Sequence, residues 1–187
     1  CYQNYSMRKF GVCCTTIFLC CLLAGIYGIL HDQVSYTVSS EYYTHFKFPQ
    51  YNVNPAEYGG ERMTVAAIGF LAAWWAGIII GAGLGITAFI FENYREMNKY
   101  LPRAVGVAFV TTLVMSFSGY CLGRYWLARK GVDWWLPKDL VHTDRYIIAG
   151  SMHNYSYVGG FLGLLLGISY LFTQKAKTNL NRVKFAA

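Results

Sequence analysis

Met63–Phe91 runs for 29 residues without a charged side chain. Crossing the hydrocarbon core of a bilayer takes about 20 predominantly apolar residues, so this one stretch already argues for a membrane. Three more stretches follow suit: Phe10–Leu30, which is free of charge, Ala104–Gly123 and Tyr155–Thr173. Four buried helices of a soluble domain would need polar faces, and these have none. Composition agrees. Charged residues are 13% of the chain, against about a quarter in soluble domains, while aromatics at 18% suit interfacial belts. The expected fold is an all-α membrane protein with four transmembrane helices and a short extracytoplasmic β-hairpin after the first. In numbers, the single membrane domain has spans at about 10–30, 55–91, 102–124 and 155–173. Outer segments fall at 31–54 and 125–154, and a tail at 174–187.

Orientation follows from the cations. Arg8, Lys9, Arg95, Lys99, Arg103, Lys175, Lys177, Arg182 and Lys184 share one side with two acids, Glu92 and Glu96. The other side carries seven cations and seven acids, so the whole net charge of +7 lies on one face. The positive-inside rule makes that face cytoplasmic, with both termini inside. The basic balance then reads as topology and contact with anionic lipid, with no nucleic-acid partner.

Small residues set the expected packing. Gly77, Gly81 and Gly85 recur every four residues in the second span, as do Gly159, Gly163 and Gly167 in the fourth. Apolar side chains gain little by associating in lipid, so close backbone approach at small residues supplies the contact energy. In the assigned topology the second and fourth spans run parallel, which suits a right-handed glycine crossing within the chain or between copies. Cys1, Cys13, Cys14, Cys20 and Cys21 crowd the N-terminal part, with Cys121 alone in the third span. Small polarizable packing groups or lipid attachment sites are the plain reading, and no disulfide framework is expected.

The outer segments are the informative part. Val34, Tyr36 and Val38, then Tyr43, His45 and Lys47 opposed by Thr44, Phe46 and Phe48, alternate as in a strand, with Ser39-Ser40-Glu41 as the turn. Asn54-Pro55-Ala56-Glu57 reads as the capped start of the second helix. At about 1.5 Å per residue that helix would stand proud of the bilayer. Trp126, Trp134, Trp135 and Leu136-Pro137 mark an interfacial elbow in the second outer segment. Tyr36, Tyr43, Phe46 and Phe48 are expected to pack on Trp134 and Trp135. His31, Asp32 and Gln33 are expected to satisfy the end of the first helix and the chain turning away from it. Glu41 is expected to pair with Lys47 or Arg145.

All four histidines, His31, His45, His142 and His153, lie on that same side with seven carboxylates. Imidazole with carboxylate suits zinc, copper or non-haem iron, although neither HxxxH nor HExxH spacing is present. A metal held by these histidines stands as the alternative to a structural role; otherwise no cofactor is expected beyond bound lipid. No phosphate-binding loop or nucleophile motif occurs, and the spans lack the ionisable residues of a proton-coupled transporter.

The block His31-Asp32-Gln33-Val34-Ser35-Tyr36-Thr37-Val38-Ser39, followed by Glu41-Tyr42-Tyr43-Thr44 and Phe46-Lys47-Phe48, resembles a signature of uncharacterised small four-span proteins of the bacterial inner membrane. There it follows the first spanning helix, and Pro commonly precedes the Glu where this chain has Ser40. The resemblance covers roughly twenty residues plus the four-span layout. It implies a bacterial inner-membrane location and carries over no catalytic residue. The expected function is a non-enzymatic accessory or structural subunit, self-associating or attached to other membrane subunits. A small transporter or channel and an outer-surface metalloprotein are the alternatives.

Overall fold

In the computed structural model, which describes residues 2–186 and side chains over 6–182, four long helices carry the chain back and forth. They are α1 (Tyr2–Val38), α2 (Glu61–Thr87), α3 (Tyr94–Leu122) and α4 (Thr143–Ala186). All four are long and apolar enough to cross a membrane, as a multi-pass membrane protein requires. Cys1 lies outside the described residues. One end of the bundle, here the terminal end, holds the start of α1, the end of α4 and the short α2–α3 connection. Arg8 there donates to the Tyr94 hydroxyl, Lys175 pairs with Glu92 at 3.1 Å, and Arg182 bridges Glu92 and Glu96. The other, here the loop end, holds residues 39–60 and 131–142.

The expected β-hairpin is absent: the described residues contain no strand. Residues 31–38 continue α1 without a break. Ser39, in extended conformation, then accepts the Tyr42 N–H and starts a second helical run: Ser40–Tyr42, a widened π turn at Tyr43–Lys47, and Phe48–Tyr51. Pro49 explains the widened turn. It has no N–H to donate, and its ring crowds the carbonyl four residues back. Phe48 therefore bonds to Tyr43 O, one residue further than in an α-helix. The alternation that predicts strand does not follow the burial. Buried positions here are His31, Asp32, Ser35, Ser39, Tyr42, Tyr43, Lys47 and Phe48, a helical period of three to four made mostly of polar residues.

Asn54 caps as anticipated, accepting the Ala56 N–H, but it starts only the 3-10 turn Pro55–Tyr58. Gly59 and Gly60, at φ +80° and +112°, then turn the chain, and α2 begins at Glu61. Pro102 lies inside α3, whose cap is Asn93 accepting from Glu96 N–H at 3.0 Å. At the other outer segment α4 begins at Thr143, twelve residues before the hydrophobic stretch at Tyr155.

The bundle is two glycine-packed hairpins set side by side. α1 packs chiefly on α2, and α3 on α4. A Cβ at Gly77 would strike the Cys20 backbone, one at Gly81 the Ile17 Cα, and one at Gly85 the Cys13 sulfur. On α4, Gly159 faces Thr112 and Met115, Gly163 the Ala108 backbone, and Gly167 Ala104 and Leu84. Both stripes thus chiefly join antiparallel neighbours, α2 to α1 and α4 to α3, while Gly167 also meets α2 through the Leu84 side chain. Gly28 and Gly69 meet backbone to backbone across α1 and α2. Two apolar clusters close the ends. Leu84, Phe91, Met97, Leu101 and Leu171 fill the terminal end. Tyr42, Tyr43, Phe48, Val65, Ile68 and Tyr146 fill the loop end, with Leu136 and Leu140 against them.

Candidate functional site: a buried His–Asp–His cluster

The polar stripe of α1 turns inward at the loop end and meets α4. His31 Nδ1 lies 3.2 Å from Asp32 Oδ1, and His153 Nε2 lies 3.9 Å from that same oxygen. The two imidazoles meet edge to face with centroids 4.6 Å apart. All three residues are buried. Their ligand-capable atoms fall within 4.8 Å of one another.

The surrounding shell fixes each group. Ser35, one turn beyond Asp32, sits 3.1 Å from His153 Nε2 and 2.5 Å from the Tyr43 hydroxyl. Tyr43 in turn donates to the Asp32 carbonyl at 3.1 Å. Tyr42 and Tyr43, where the run from Ser40 passes into the π turn, are both buried, Tyr42 stacked on the His153 ring at 4.8 Å. Burial, then the Asp32 charge, push the Tyr43 hydroxyl far above its ordinary pKa, so it remains a donor. Lys47 is buried too, its amine 5.6–6.0 Å from the rings of Phe46, Tyr42 and Tyr51. Burial draws that amine below its ordinary value, and Asp32 pulls it back up.

Two polar atoms of the cluster, His31 Nε2 and Asp32 Oδ2, are buried without a hydrogen-bond partner. Each such atom costs about 1–3 kcal/mol unless something satisfies it. Two imidazoles and one carboxylate form a donor set suited to a divalent transition ion, with coordination positions left open.

The other singled-out residues lie elsewhere. His45 is exposed and touches Thr44. His142 is exposed, and its N–H donates to Glu41. The four histidines therefore divide into one converging pair and two surface groups. Glu41 pairs with neither Lys47 nor Arg145; its carboxylate accepts the Val141 and His142 N–H groups at 2.7 and 2.8 Å, just ahead of α4. Gln33 and Arg62 exchange hydrogen bonds, fixing α1 to the start of α2, while the Tyr36 hydroxyl donates to Glu61. Phe48 is buried and Phe46 half-buried, but Leu136 and Leu140 are the elbow residues in their cluster. Trp135 points outward. Read from the sequence, Ser35 has no site role and Lys47 falls in a strand or beside Glu41; the four-residue spacing of Ser35, Ser39, Tyr43 and Lys47 is the signal that finds them.

The fold and the cluster thus define a four-helix multi-pass membrane protein with a buried polar centre near one end. The chain matches no known family model, no curated protein and no solved structure.

Proposed function

We propose that this is a membrane metalloprotein holding one divalent first-row transition ion between His31, Asp32 and His153, at the extracytoplasmic end of a bundle whose termini are cytoplasmic. The carrying observation is the pair of orphaned buried atoms, His31 Nε2 and Asp32 Oδ2, inside a two-histidine, one-carboxylate cluster. Three protein ligands leave positions for water or substrate, as in catalytic centres rather than closed structural ones. Ser35 and Tyr43 stand within hydrogen-bond distance of the ligand set and are placed to orient such a group. The +7 asymmetry and the resemblance of the His31–Phe48 block support a bacterial inner membrane. The accessory-subunit reading draws on the glycine stripes, and those glycines find partners within the chain itself.

Elemental analysis of protein purified from native membranes tests the reading. About one zinc or iron per chain is expected. Asp32→Asn and His153→Ala are each expected to weaken affinity by more than the roughly 10–100-fold that outer-shell changes cause. His45→Ala is expected to leave it unchanged. Protein that carries no ion and binds neither zinc nor iron(II) on titration would make Lys47 the counter-charge of Asp32 and return the cluster to a structural role.

A further inference from the structure

Between the two hairpins, in the membrane-spanning part, lies a cavity of about 300 Å³, at the small end of the range for ligand pockets. It exists because the facing surfaces are built of small residues, among them Ala72, Ala76, Ala108 and Gly160. A Cβ at Gly160 would meet only Ile80 Cδ1, at 3.9 Å. The walls are almost wholly apolar, and the rim includes Trp75, Ile79 and Phe161, which are exposed on the bundle surface. Such a rim opens onto lipid.

Of the polar lining, Thr112 donates its hydroxyl to the Ala108 carbonyl, Tyr157 also stands on the wall, and a hydroxyl pair lies at one end. Tyr27 and Ser156 both line the cavity and share a 2.7 Å hydrogen bond between their hydroxyls. Tyr27 stands one helical turn before His31, with ring centroids 5.4 Å apart, and Ser156 follows His153 by three residues. Along α1 the lining runs from Cys20 to Tyr27, about 10 Å at 1.5 Å per residue.

We propose that this cavity takes one aliphatic chain of a membrane amphiphile and holds its polar end against Tyr27 and Ser156. An apolar slot opening sideways within the spans meets hydrocarbon, not water. Two hydroxyls at one end offer a donor and an acceptor that a bare hydrocarbon cannot use. The bound head group would lie directly below the His31–Asp32–His153 cluster. The occupancy itself does not depend on an ion.

The test uses the full chain in phosphatidylcholine vesicles containing a phosphatidylcholine with a photoactivatable acyl chain. Adducts are expected on Leu23–Tyr27 and Tyr157–Leu164 at higher yield than on the lipid-facing residues Phe18 and Phe117. Gly160→Leu, and separately Ala76→Phe, should cut the cavity adducts at least five-fold while sparing those at Phe18 and Phe117. Decanol should compete at lower concentration than decane, and the double change Tyr27→Phe with Ser156→Ala should abolish that difference. Asp32→Asn should leave the labelling intact, which separates this test from that of the ion. Cavity adducts no stronger than the surface ones, or unchanged in both filling variants, would overturn the proposal. Equal competition by decanol and decane in the unaltered chain would overturn the placement of the polar end.

Discussion

Asp32 gathers the polar chemistry of the loop end, and glycine decides how closely the helices that carry it can approach. Gly163 faces the Ala108 backbone, whereas Gly106, on the opposing helix, has nothing within 4 Å of where a Cβ would stand. Gly163→Leu is expected to lower stability in detergent by about 1–3 kcal/mol, the usual cost of overpacking. Gly106→Leu is expected to change little, and thermal unfolding of the two variants decides the matter. Equal melting would mean that α3 and α4 are held by something other than this contact. The glycine stripes are legible in the sequence because four-residue spacing has one physical use in lipid. Their partners are not, since Cys13, Cys20 and Gly28 on α1 gain their role only when α2 arrives. Asp32 is harder still. A buried polar stripe has the helical period but lacks the apolar residues by which such periods are found.

Glu41 works at the scale of an element. It reaches from the helical run after Ser39 to the start of α4, where its carboxylate accepts two N–H groups and places negative charge at the positive end of the helix. Burial alone would raise its pKa, but the Val141 and His142 N–H groups outweigh that and hold it below the ordinary value of 4.5. A lowered folded pKa means that the carboxylate's stabilisation is fully present above about pH 4.5. It is lost as pH falls through the lower folded value. Glu41→Ala should therefore cost about 0.5–2 kcal/mol at neutral pH, in the range of a lost helix-terminal acceptor. It should also flatten the acid limb of the stability curve, which denaturant melts across pH 3–7 would reveal. The four long helices were readable from hydropathy, but their ends at the loop side were not. α1 carries on through polar residues because α4 covers them, and the strand-like alternation of residues 34–48 mixes exposed Val34 and His45 with buried Tyr43, Lys47 and Phe48, so it follows no single face.

For the whole molecule, the charge count makes a definite claim about sidedness. A cysteine placed at the exposed Ser40 should react with an impermeant reagent added from outside, and one at the exposed Asn179 should be spared. The reverse pattern in intact cells would invert the bundle and place the His–Asp–His cluster at the cytoplasmic surface. The pairing of helices has a kinetic consequence as well. Each hairpin has its own close-packed seam, so α1 and α2 can associate before α3 and α4 have left the ribosome. His31 and Asp32, however, belong to the first hairpin and His153 to the second. Ligand capture at that cluster would thus report the final docking of two preassembled halves, and two polypeptides severed in the short connection at Glu92–Asn93 should regain it only when expressed together.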